Sequence, residues 1–165
     1  MEKIAGNFFY YRIKGFDMVI TDNGSAITGL FFDRARAAGL KKTETPLIQK
    51  AAAQITEYFE GKRTQFKLPL VMYGTEFQRA VWQALQKIPY GETRSYKEIA
   101  AGIGRPKAVR AVGMANNRNP ISIIVPCHRV IGHDGKLVGY GGGLPLKHYL
   151  LELERAVDRH LPPQI

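Results

Sequence analysis

Apolar residues recur along this chain with two different periods, and the change of period marks its organisation. Residues 7–35 read as strands. Asp22-Asn23-Gly24 is a turn signal between FDMVIT and SAITGLFF, which predicts a hairpin. The period then becomes helical over 45–60: Leu47, Ile48, Ala51, Ile55 and Phe59 share one face. Thr45 can cap this helix, Pro46 suits its first turn and Gly61 its end. Nothing in this first part points to chemistry, and it reads as a small α/β scaffold.

Residues 62–74 read as a linker with some extended structure. Thr75-Glu76-Phe77-Gln78 then has the form of a capping box, followed by Phe77, Val81, Leu85 and Ile88 at helical spacing until Pro89. Ser95-Tyr96-Lys97-Glu98 is a second capping box, leading to Ile99, Ala100 and Ile103 and closed by Gly104. Pro106 is expected to open a third helix running to about Asn116. Two short helices separated by Gly104-Arg105 predict a helix-turn-helix. On the third helix Ala108, Val112 and Ala115 form an apolar face, and Lys107, Arg110, Met114 and Arg118 form another. Such a basic face suits a nucleic-acid groove, and it equally suits a solvated amphipathic helix. Beyond it, Ile121–Val125 reads as a strand. Val130–Gly132 and Leu137–Gly139 are expected to pair as a hairpin around Asp134-Gly135, before Tyr140-Gly141-Gly142-Gly143 and a last helix opened by Pro145.

Length and composition sharpen this picture. The 165 residues, 45% of them apolar, suit one medium domain or two small ones, here 1–70 and 71–165. No apolar run is long enough to span a membrane, and the N-terminus carries no signal-peptide core. With a single cysteine, the expected setting is a reducing, cytoplasmic one. The net charge of +10 points to a polyanionic partner, nucleic acid before membrane. Residues 91–120 concentrate it: Arg94, Lys97, Arg105, Lys107, Arg110 and Arg118 stand against only Glu92 and Glu98.

Cys127 lies between Pro126 and His128. A lone cysteine excludes an internal disulfide and a multi-cysteine zinc site, which leaves a nucleophile or a small buried hydrophobe. An ordinary thiol is mostly protonated at neutral pH and needs a base. His128 is adjacent, but neighbours on a strand point to opposite faces, so a relay through water or a bend is expected. A histidine base is usually oriented by a carboxylate, and Glu152 and Glu154 on the last helix are both candidates. The glycine loop suits either close approach of backbone to a flat ligand or a simple connector. No dinucleotide fingerprint, P-loop or metal spacing is present.

At TEFQRAVWQAL, IPYGETRSYKEIA, RPKAVRAVGMANNRNPISIIVPCHRVIG and GYGGGLPLKHYLLELE the chain strongly resembles the O6-alkylguanine-DNA alkyltransferases. Residues 1–70 match only in general character. The resemblance implies an α/β N-terminal domain and a mainly α C-terminal domain with a helix-turn-helix, winged-helix-like DNA-binding core. It implies repair of O6-alkylguanine in double-stranded DNA, and of O4-alkylthymine: the base is flipped out and its alkyl group passes irreversibly to Cys127, once per molecule. No cofactor or metal is implied. The expected protein is a monomer, with a basic surface compatible with cooperative assembly on DNA.

Roles carry over by position. Cys127 matches the acceptor, His128 the residue activating it through water, and Glu154, in preference to Glu152, the carboxylate orienting that histidine. Asn119 matches the asparagine shaping the turn around the cysteine. Tyr96 matches the tyrosine that assists flipping and protonates the leaving guanine at N3. Arg110 matches the arginine finger, with Lys107, Arg118 and Arg94 expected on DNA in the minor groove. Tyr140, Gly141, Val130 and Met114 are expected around the alkylguanine. Some relatives carry serine at the place of Gly141, so only its backbone contact carries over. Competing readings are a lesion-binding protein without transfer, against which Cys127 argues, and a thiol hydrolase, which would leave the basic helix unexplained.

Overall fold

The computed structural model describes residues 6–160. The chain divides into two compact units, Met1–Tyr73 with Pro120–Ile124, and Gly74–Asn119 with Val125–Ile165.

The first unit is a sheet with one long helix. Strands β1 (Asn7–Ile13), β2 (Phe16–Asp22), β3 (Ile27–Phe31) and β4 (Lys41–Lys42) lie in the order β3-β2-β1-β4. The first three pair antiparallel, and β4 runs parallel to β1. Lys14 and Gly15 both hold positive φ (51° and 83°), the backbone needed by the tight turn between β1 and β2. At the hairpin read from Asn23-Gly24, the Asn23 side-chain oxygen accepts from the Ser25 and Ala26 amides, both at 2.9 Å. Helix α1 (Pro46–Phe59) is capped by Thr45, whose hydroxyl accepts from the Ile48 amide at 3.1 Å. Ile48, Ala51, Ile55 and Phe59 are buried as expected, joined by Tyr58.

The segment Pro120–Ile124 joins this unit by a backbone excursion rather than as the expected strand. Leu30 donates to Pro120 O, Ser122 donates to Leu30 O, and only one bridge forms, Leu30 with Ile121. Ile123 holds φ 71°, which is rare for a β-branched residue and breaks any extended run.

The second unit holds the helix-turn-helix. Helix α2 (Glu76–Leu85) begins at the Thr75–Gln78 capping box. Strand β5 (Arg94–Ser95) leads into α3 (Tyr96–Gly102), capped by the Ser95–Glu98 box, and α4 (Val109–Asn117) follows. Helix α4 starts later than expected: residues 106 and 107 form a turn, with Ala108 N donating to Arg105 O at 2.9 Å, so Lys107 precedes the helix. Trp82, 2% exposed, donates its indole N–H to Ala115 O at 2.8 Å and fastens α2 to α4. Strand β6 (Val130–Ile131) pairs in parallel with β5, and α5 (Leu144–His160) ends the described chain. The expected 130–139 hairpin is only half present. Its turn forms, with Gly132 N donating to Lys136 O at 2.9 Å, but residues 137–139 form no strand. Val138 O is taken instead by side chains. No helix among the described residues is long and apolar enough to cross a membrane.

Candidate active site and nucleic-acid interface

Cys127 lies in a single 3-10 turn, Cys127–Arg129, rather than on a strand. The turn follows Pro126, and Cys127 N donates to Val125 O at 2.8 Å. Asn119 donates from Nδ2 to Val125 O at 2.7 Å. It thereby ties together the two points where the chain leaves and re-enters the second unit. Asn116 Nδ2 reaches Cys127 O at 3.4 Å. The thiol is 4% exposed, so a substrate atom must be delivered to it in an enclosed place.

Because the segment turns, His128 is fully buried, and its Nε2 lies 2.6 Å from Glu154 Oε2. Arg129 donates to both oxygens of the same carboxylate, Nε to Oε1 at 2.8 Å and Nη2 to Oε2 at 3.1 Å. Gly91 N adds a bond to Oε1 at 3.1 Å, and Arg129 Nη1 donates to Ile88 O at 2.8 Å. Burial alone would raise the pKa of Glu154, but the hydrogen bonds from His128 and Arg129, with the guanidinium charge, outweigh it and bring the pKa to about 2. Burial moves His128 the other way, below its usual value and against the pull of Glu154, so the imidazole is neutral near pH 7.

An ionised carboxylate can only accept, so Nε2 carries the proton and Nδ1 carries the lone pair. Nδ1 is enclosed and has no partner among the described residues, as a waiting base requires. Glu152, the other sequence candidate, is exposed and pairs with Arg155 at 3.0 Å.

A second buried centre went unnoticed in the sequence. Lys147 on α5 is fully buried and donates to Val130 O at 2.6 Å, Val138 O at 2.9 Å and Gly139 O at 3.3 Å. Burial draws its pKa down to about 8, partly offset by the charge of Cys127. Tyr96, the first residue of α3, donates to Val138 O as well, at 2.9 Å. Its own pKa is raised by burial and by the Cys127 charge, against a hydrogen bond from Asn116. Tyr140 is raised well above the usual phenol value, first by burial and then by Cys127 and Glu154. A Cβ placed on Gly141 would meet nothing within 4 Å, so packing within the protein does not demand glycine there. Among the described residues, no three His, Cys, Asp or Glu side chains stand together as a metal site.

The outward face of the helix-turn-helix is basic. Lys107, Arg110 and Arg118 are exposed, and among the described residues none of them enters an ion pair. Arg94 differs, being held by Glu92 at 3.2 Å. Met114, expected around the alkylguanine, lies on the outward face of α4. It is 59% exposed, because the helical period turns Val112, Ala115 and Asn116 inward and Arg110, Met114 and Arg118 outward. Asn116, buried on α4 against Cys127 O, occupies the inward place. The sequence reading missed it, since a buried asparagine on an amphipathic helix has no sequence signature.

The fold and site define a helix-turn-helix unit that carries an enclosed thiol backed by a histidine–glutamate pair. Comparison with known proteins identifies it further. Residues 76–156 match the DNA binding domain of 6-O-methylguanine DNA methyltransferase, and residues 17–72 match the ribonuclease-like domain of the same proteins. The chain is 52% identical over 143 residues to the methylated-DNA–protein-cysteine methyltransferase of Mycobacterium leprae, covering 84% of this chain and 86% of that one. It is 57% identical over 124 residues to that of Methanosarcina barkeri, covering 70% and 78%. The crystal structure of the Mycobacterium tuberculosis O6-methylguanine methyltransferase superposes with a TM-score of 0.85 at 43% identity, over 96% of both chains. The structure of the Mycobacterium tuberculosis OGT in complex with DNA gives a TM-score of 0.85 at 45% identity, over 92% and 94%. The chain belongs to the 6-O-methylguanine DNA methyltransferase family.

Proposed function

We propose that the protein repairs O6-alkylguanine in double-stranded DNA by moving the alkyl group to Cys127, once per molecule. The observation that carries this reading is the neutral His128, fixed by ionised Glu154 so that its bare Nδ1 is the available base in the turn that holds the only thiol.

The steps balance without further reagents. His128 Nδ1 takes the thiol proton through one water, leaving a thiolate and an imidazolium stabilised by Glu154. The thiolate sulfur attacks the alkyl carbon in line and forms the C–S bond as the C–O6 bond breaks. The bonding pair leaves with guanine as its anion, which gains a proton at N3 from the Tyr96 hydroxyl. The phenolate and the His128 imidazolium are then neutralised by one proton passing between them through solvent. Exchange of the N3 proton for one at N1 in water gives ordinary guanine. The product is restored guanine and a thioether on Cys127. A thioether is not a leaving group under these conditions, so the acceptor is spent.

An enclosed thiol cannot reach a base stacked in a duplex, so the lesion must be flipped out. The exposed Lys107, Arg110 and Arg118 supply phosphate contacts, and Arg110 fills the vacated stack. The backbone carbonyls of Cys127 and Val130 accept from the guanine amino group, and Gly141 N donates to O6, beside Tyr140. O4-alkylthymine offers the same alkyl carbon and is a second substrate.

The test is stoichiometric. With lesion duplex in excess, repaired guanine should rise to one equivalent per protein and stop. Continued release of product would contradict a spent acceptor, and binding without any product would indicate a lesion-recognition protein.

A further inference from the structure

The role given to Tyr96 creates a difficulty that the structure itself resolves. Its hydroxyl proton is already committed: Tyr96 donates to Val138 O at 2.9 Å. To donate to a nucleobase, the hydroxyl must turn away from that carbonyl. Val138 is 51% exposed, so water can replace the lost donor. The departure of Tyr96 also removes a bond that fixes this carbonyl and its loop in place, and a shifted loop would oppose the transfer.

Val138 O has a second donor. Lys147 Nζ reaches it at 2.9 Å, so the carbonyl has one donor on each of its two lone pairs. The ammonium is not free to wander. Its three N–H groups go to Val130 O, Val138 O and Gly139 O, and the side chain is fully buried at the start of α5. Val130 follows the acceptor turn, and Gly139 precedes the Tyr140-Gly141 loop. The same ammonium therefore fixes both the segment after Cys127 and the loop that carries Tyr140. No other charged side chain among the described residues donates to these three carbonyls.

We infer that Lys147 is a positioning residue for Tyr96: it keeps the Val138 carbonyl paired and in place, so that the Tyr96 hydroxyl can exchange that carbonyl for the leaving nucleobase. This rests on the alkyl-transfer reading above. No covalent step is added. One hydrogen bond from Tyr96 is broken and one to the base is formed, while the bond from Lys147 persists.

The test is a double-mutant cycle on the full chain with an O6-methylguanine duplex, reading single-turnover transfer and duplex affinity separately. Lys147→Met should slow transfer by on the order of tenfold to a hundredfold, with affinity changed no more than about threefold. In the Tyr96→Phe background the same change should cost at most about a fifth as much, because the group it serves is gone. Lys147→Arg keeps a cation and should recover most of the rate. If Lys147→Met does not fold, Lys147→Arg carries the same cycle, and any slowing it causes should shrink with Tyr96→Phe. Equal costs in both backgrounds, a loss confined to affinity, or a rate untouched by Lys147→Met would overturn the inference. If the unaltered protein transfers no methyl group, the alkyl-transfer reading fails first. Normal transfer with additive costs removes only the role of Lys147.

Discussion

Glu154 holds a neutral imidazole and a guanidinium at once, and this makes it the most sensitive side chain behind the thiol. Replacing it with glutamine keeps the shape but removes the charge that orients His128 and neutralises Arg129. Glu154→Gln should slow transfer by on the order of tenfold to a hundredfold, because Nδ1 would no longer be the assured lone pair. It should also lower stability by about 3 kcal/mol, since Arg129 is 7% exposed and would lose its only carboxylate among the described residues. Single-turnover kinetics and denaturant unfolding measure the two effects separately. An unchanged rate would assign the orienting role elsewhere. At this scale the sequence showed the chemistry but not the wiring. Cys127 and His128 drew attention by residue type, whereas the residues alone left Glu152 and Glu154 level and only the resemblance preferred Glu154. Arg129, Lys147 and Asn116 were not, because their roles come from backbone carbonyls and a carboxylate brought together only by folding.

At the scale of elements, the periodic segments were read well and the irregular ones poorly. Capping boxes located the starts of α2 and α3 because cap chemistry is local. Pro106 misled: it begins a turn rather than a helix, and α4 waits until Val109. The segment 121–125 looked like a strand by composition, yet Ile123 takes a left-handed conformation that no apolar pattern reveals. The face of α4 follows from its period, and its exposed cations lead to a direct expectation. Lys107→Ala and Arg118→Ala should each weaken duplex binding and reduce the salt slope of the affinity by about one counterion, irrespective of sequence. Arg110→Ala should slow repair in duplex DNA more than reaction with a free O6-alkylated base, which needs no flipping. Equal losses on the two substrates would remove Arg110 from the flipping step.

The whole molecule inherits a pH dependence from its buried groups. Glu154 has a folded pKa near 2 against a usual 4.5, so its stabilisation is complete above 4.5 and is lost as pH falls toward 2. His128 is held below its usual 6.5, so the unfolded chain takes up a proton first, and stability declines as pH falls through 6.5. Both effects have the same sign. Denaturant midpoints should therefore fall steadily from about pH 7 to about pH 4. A midpoint that rises on acidification would contradict the neutral, carboxylate-bound His128. A boundary at residue 70 was read from the linker at 62–74 and the capping boxes beyond it. The return of Pro120–Ile124 to the first unit was not, because it depends on backbone bonds between distant segments.

The central claim is that this one thiol accepts one alkyl group. It is tested most directly by incubating the protein with a short duplex containing a single O6-methylguanine, then recording the intact mass and mapping the peptides. The account predicts a gain of one methyl group per protein, carried on the peptide that contains Cys127. An unchanged mass, more than one methyl group, or a methyl group on any other peptide would contradict it.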